Sequence, residues 1–188
     1  MAIKVRIPET ELFDPKTEEF FPVDGMTLTM EHSLISISKW ESKWCVPFIE
    51  GPNPKSREKT DEMWYDYFRC MVIGNKEVDA NSFRALPRSE INRIFDYINK
   101  ECTASSVPEV KGRSGPPEQV TSELIYFWMI NYGVPDRFEK WHLSRLLMLI
   151  RICQRKTSKP EKKSKADRSL EYARISAQRR KAAAARKK

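Results

Sequence analysis

Histidine is almost missing from this chain of 188 residues: His32 and His142 are the only two. Chemistry that relies on imidazole as base, nucleophile partner or metal ligand has little to draw on. Glu139 and His142 do stand at i and i+3, the spacing of carboxylate-bridged di-metal sites. Such sites need that motif twice with further carboxylates, and here it occurs once. His142 therefore reads as a hydrogen-bonded, partly buried side chain, and His32, beside Glu31 and ahead of a helix, as a local cap. A G-x-S-x-G elbow, a paired His and Cys nucleophile and an acid pair in a polar setting are all lacking. Lys111-Gly112-Arg113-Ser114-Gly115 departs from the G-x-x-x-x-G-K-[ST] spacing and follows no strand, so a phosphate loop has no support. The expectation is a non-catalytic protein with no cofactor and no metal.

Long apolar runs are lacking too. No segment approaches 18 uninterrupted apolar residues, which excludes a membrane-spanning helix. Cys45, Cys70, Cys102 and Cys153 form no C-x-x-C pair, and three of them lie among residues that read as core. Reduced thiols are expected. MAIKVRIPETELF has neither the apolar run nor the cleavage pattern of a leader, so a cytosolic protein is expected.

Charge is divided along the chain. Residues 156–188 hold 13 Lys and Arg against 3 acids, a net of +10, while residues 1–155 hold 21 against 23, a net of −2. The pI near 9.3 thus describes a tail rather than a body. A basic tail can engage nucleic acid without sequence preference, through Arg174, Arg179, Arg180, Lys181 and Arg186, or an acidic protein surface, or solvent alone. Its large apolar residues are only Leu170, Tyr172 and Ile175. That is too few to offset the entropy of ordering, so disorder is expected as far as Asp167, with helix beyond it when bound.

The body begins with period-two patterning. Ile3, Val5 and Ile7 alternate with Lys4 and Arg6, and Met26, Leu28 and Met30 alternate with Thr27 and Thr29. Asp14-Pro15-Lys16-Thr17 is turn chemistry between Leu12-Phe13 and Phe20-Phe21. Three or four short antiparallel strands in one small sheet follow from this. Helical spacing takes over at Ser33, a suitable N-cap, with Leu34, Ile37, Trp40 or Glu41, and Trp44 on one side, and Pro47 closing the helix. FIEGPNPKSREK reads as an exposed, mobile loop. Thr60 caps a second helix with Met63, Trp64, Tyr67, Phe68 and Met71 apolar, and a short turn at residues 82–86 leads past Ser89 to a helix carrying Ile91, Ile94, Phe95 and Ile98. Residues 102–117 read as a connector.

The densest apolar stretch, residues 118–155, reads as a central helical hairpin. Its first helix offers Val120, Leu124, Phe127 and Trp128. Gly133 suits a left-handed helix end and Pro135 the start of the second helix, which offers Phe138, Trp141, Leu146, Leu149, Ile150 and Cys153. The expected architecture is α+β: a small N-terminal antiparallel β region at 1–32 packed on a mainly helical body at 33–155, then the basic tail at 156–188. Trp40, Trp44, Met63, Trp64, Trp128, Met129, Trp141 and Leu146 are candidates either for core packing or for lining a groove that takes a partner helix.

Three blocks, EHSLISISKWESKW (31–44), TSELIYFWMI (121–130) and KWHLSRLLMLIRIC (140–153), with a weaker fourth, KTDEMWYDYFRCM (59–71), carry a resemblance to a family. Together they resemble small proteins of long-tailed, siphovirus-type bacteriophages that are encoded near the tail-tube and tape-measure genes and are described as tail assembly chaperones. The resemblance implies a helper in the host cytoplasm. It would coat the helical tape-measure protein until tail-tube subunits polymerise around it, with self-association possible, and would be absent from the finished virion. Methionines such as Met63, Met71 and Met129 would let its groove adapt to varied sequence. The competing expectations are a structural tail or head-tail joining protein kept in the virion, and a nucleic-acid-binding protein acting through the tail.

Overall fold

A computed structural model describes residues 2–14, 18–56, 58–74, 77–106, 118–157, 169 and 172–177. The chain divides into two units, Met1–Arg155 and Lys156–Lys188. The first is an α+β fold. Its strands are β1 (Ile3–Ile7), β2 (Thr10–Asp14), β3 (Glu19–Val23) and β4 (Met26–Met30). The alternation works as expected: Val5 and Ile7 of β1 and Leu28 and Met30 of β4 are buried, while Lys4 and Arg6 face water. The single sheet expected from the sequence is instead two antiparallel ribbons, β1 with β4 and β2 with β3. Val5 stands opposite Leu28 in one, and Leu12 opposite Phe21 in the other. Three residues of the expected turn, 15–17, lie outside the described residues; Glu18, in the left-handed region at φ 58°, donates to Asp14 C=O at 2.8 Å.

Helix α1 (Leu34–Trp44) starts where Ser33 and Ser36 each cap the other's backbone N–H, a reciprocal box that satisfies two orphan donors. It ends at Cys45, left-handed at φ 53°, two residues before Pro47. Helix α2 (Asp61–Met71) starts at the Thr60 cap and packs along α1. The contact is sealed by Trp40, whose indole N–H donates to Met63 C=O at 2.8 Å. Helix α3 (Arg88–Ile98), beside β1, follows a 3₁₀ turn at Ala80–Ala85 whose Phe83 is fully buried.

The segment between α1 and α2 is not the exposed loop that its composition suggests. Phe48 and Ser56 are buried, and Gln119 ties the segment down: its carbonyl accepts from Asn53 N–H at 3.1 Å and its amide donates to Ile49 C=O at 2.8 Å. A β-carbon on Gly51 would lie 2.5 Å from that Gln119 side chain, so a larger residue there would displace Gln119 from these bonds.

The C-terminal part of the body also departs from expectation. Residues 118–120 belong to no helix, and helix α4 (Ser122–Asn131) begins only after the Thr121 cap. Gly133 is left-handed as expected, at φ 62°. After Pro135, however, comes a 3₁₀ turn, Asp136–Lys140, and helix α5 (Leu143–Thr157) starts eight residues later than Pro135 suggested. Leu143 N–H donates to His32 C=O at 2.8 Å, so α5 begins where the chain is bonded back to the end of β4.

Candidate protein-docking surface

Helix α4, SELIYFWMIN, is apolar around its whole circumference and carries one charge, Glu123. A helix of that kind belongs inside a protein or against a partner. In this body it is covered on one side only. Ser122, Ile125 and Met129 are buried, and α4 lies along α1. The opposite side holds Phe127, 60% exposed, and Ile130, 78% exposed, one turn apart and in line with Glu123. Half-buried Leu124 and Trp128 flank them. The helix is held in this orientation by a buried carboxylate: Glu41 accepts from Ser122 N–H and from Phe48 N–H, each at 2.7 Å, at the positive end of α4. The expected face of Val120, Leu124, Phe127 and Trp128 is therefore rotated relative to the buried one. An all-round apolar sequence gives no amphipathic signal from which to choose.

The eight groove candidates separate by burial. Trp40, Met63, Met129 and Leu146 are buried core. Trp44 is half-buried and donates its indole N–H to Asp66 at 2.9 Å, and Trp64 stacks edge-on with Phe48 and Phe95. Trp141 stacks on Phe138 with centroids 4.1 Å apart and also carries the Arg145 guanidinium over its ring at 3.9 Å. Trp128 alone of the eight joins the open side of α4, and its indole N–H has no acceptor among the described residues. Phe127 and Ile130, which complete the surface, were not among the eight candidates. A second exposed apolar pair, Phe13 and Phe20, faces across the β2–β3 ribbon with centroids 5.2 Å apart.

His32 is not the local cap that its position suggests, whereas His142, hydrogen-bonded as expected, caps the start of α5. His32 Nδ1 shares a hydrogen bond of 2.5 Å with the Tyr67 hydroxyl, and its ring stands 5.1 Å from that of His142. His142 Nε2 lies 3.0 Å from Tyr97 C=O; since a carbonyl only accepts, the proton is on Nε2, and Nδ1 accepts from Ser144 N–H at 3.3 Å. Tyr97 in turn donates to Glu31. Burial, with the neighbouring His142 second, pushes His32 down to about 3, and burial also lowers His142. Both rings are neutral at pH 7, and the cluster joins the end of β4 to α2, α3 and the start of α5. Glu139 accepts from Tyr126 rather than approaching His142 as a co-ligand. Among the described residues, no three His, Cys, Asp or Glu side chains converge on a point that could hold a metal ion. No disulfide joins any of the four cysteines; Cys45 is exposed and the other three are half-buried rather than core.

Of the basic-tail candidates, Arg174 lies in a helical, exposed stretch at residues 172–177. Arg179, Arg180, Lys181 and Arg186 lie outside the described residues, as do residues 111–115 of the phosphate-loop test. No helix among the described residues is long and apolar enough to cross a membrane. No family model, no curated protein and no solved structure matches this chain.

Proposed function

We propose that this protein is a non-catalytic helper of phage tail assembly that covers a stretch of the helical tape-measure protein in the host cytoplasm, before tail-tube subunits replace it. The observation that carries this reading is the open side of α4, a rigidly mounted helix with Phe127, Trp128 and Ile130 presented to solvent. A partner helix laid on it would remove these side chains from water, at about 1.5–3 kcal/mol for each one fully covered. The resemblance to tail assembly chaperones supports the identity of that partner.

Tagged protein recovered from phage-infected cells tests the proposal. Co-purification of the tape-measure protein, its loss in a Phe127→Glu, Ile130→Glu variant, and absence of the chain from purified virions are the expected results. The exposed Phe13–Phe20 pair favours a second reading, a structural tail or head-tail joining subunit. Stoichiometric presence in virions would establish that one instead.

A further inference from the structure

The β2–β3 ribbon has two unlike faces. Leu12, Phe21 and Val23 pack on the core, and alternation puts Glu11 and Phe13 of β2 and Phe20 and Pro22 of β3 on the other side. All four of these are exposed, Phe13 by 45% and Phe20 by 69%. The ribbon is also held in place, because the Arg84 guanidinium donates to Phe13 C=O at 3.1 Å. Its outer face is a fixed apolar surface open to solvent.

The charge around that face is negative. Residues 9–24 hold six acids and one base, a net of −5. Glu9, Glu11, Glu18 and Glu19 are exposed, and none is in an ion pair among the described residues. Along the ribbon Glu11 comes first, then the Phe13–Phe20 pair, then Glu18 and Glu19 at the turn. A matching occupant carries apolar groups with a cation on either side. Such a pattern stands in residues 156–188, whose net charge is +10. Tyr172 and Ile175 are exposed, by 76% and 42%, and lie one turn apart in the helical stretch at 172–177. In sequence Arg168 stands four residues before Tyr172 and Arg179 four after Ile175, the spacing that lines side chains up on a helix. Cation, apolar pair, cation answers acid, apolar pair, acid.

We propose that the outer face of the β2–β3 ribbon takes up the basic extension of a second copy of this chain. The extension lies on it as a helix, with Tyr172 and Ile175 over Phe13 and Phe20, and with Arg168 and Arg179 toward the glutamates at the two ends. Two copies that exchange extensions make the contact twice and close with twofold symmetry. Apolar burial and charge attraction both stabilise it, so it weakens as salt rises without depending on charge alone. The site is independent of α4 and does not depend on the tail-assembly reading.

The full chain, freed of nucleic acid, is followed by sedimentation velocity over a range of concentrations. The parent should associate, and at least tenfold more weakly at high salt than at low. Phe13→Thr with Phe20→Thr removes the apolar pair of the ribbon, and Tyr172→Glu with Ile175→Glu spoils the extension. Each of these variants alone should associate at least tenfold more weakly than the parent. All four side chains are exposed, so both variants keep their fold, and thermal midpoints verify that. Mixed together, the two variants should pair one to one, since one still offers the extension and the other the ribbon. Glu11→Lys with Glu19→Lys, which leaves both phenylalanines in place, should also weaken association tenfold or more. A parent that stays monomeric at the highest concentration, a variant that associates as tightly as the parent, or a mixture no more associated than its components would overturn the proposal.

Discussion

Glu41 occupies the apolar side of α1, and at the residue scale it joins parts of the chain that are distant in sequence. Its two oxygens satisfy the N–H groups of Phe48 and Ser122, one ending the turn after α1 and the other opening α4. Replacement by alanine strands both donors in the interior at about 1–3 kcal/mol each. Glu41→Ala should therefore lose about 3 kcal/mol or more in chemical denaturation, and Glu41→Gln, which keeps one acceptor, roughly half of that. Ser122 offers the opposite case: its hydroxyl is buried with no hydrogen-bond partner among the described residues. Ser122→Ala removes an unsatisfied group at a helical position, so its denaturation midpoint should equal or exceed that of the parent. The histidine cluster predicts acid sensitivity. The folded pKa of His32, about 3, lies below its ordinary value of 6.5. The stability it contributes is therefore complete above pH 6.5 and is lost as pH falls toward 3, by about 1.4 kcal/mol per pH unit. Unfolding free energies from urea titrations at pH 7.5 and 5.0 should differ by about 2 kcal/mol in the parent and by much less in His32→Gln.

At the scale of elements, α4 separates what a helix needs in order to fold from what it leaves available. Ile125 and Met129 anchor it, and Phe127 and Ile130 add nothing to that anchoring. Phe127→Glu with Ile130→Glu should change the stability of the free protein by less than about 1 kcal/mol, as surface substitutions do. Partner capture should fall by tenfold or more, as read in the same pull-down that tests the proposed function. A large loss of stability would mean that this side is covered within the protein. The element pattern was largely legible: Ser33 and Thr60 cap where their side chains permit, the β1 and β4 alternation points inward, and Gly133 turns left-handed. What was not legible shares a cause, which is partners distant in sequence. Gln119 pins a segment that composition marks as loose, and Leu143, at the start of α5, is bonded through its N–H to His32 C=O, 111 residues earlier. The open side of α4 was hidden by the uniformity of its own sequence.

The whole molecule combines a near-neutral body with a strongly basic extension, and this division could be read from charge alone. Removing residues 158–188 takes away 12 basic and 3 acidic side chains and moves the formal net charge from +8 to −1. Two modes of binding should then separate. Contacts through α4 are apolar and local, so they should survive the truncation and depend little on salt. Any binding to nucleic acid should come from the extension, weaken steeply as salt rises, and vanish with it. Fluorescence anisotropy with a labelled DNA duplex at low and at physiological salt, on the full and the shortened chain, makes that comparison. If the shortened chain binds DNA as tightly as the parent, the charge division has no bearing on partners. If it loses DNA and keeps the tape-measure protein, the extension and α4 serve different partners, and the thermal midpoint of the body should remain unchanged because its core lies within residues 5–150.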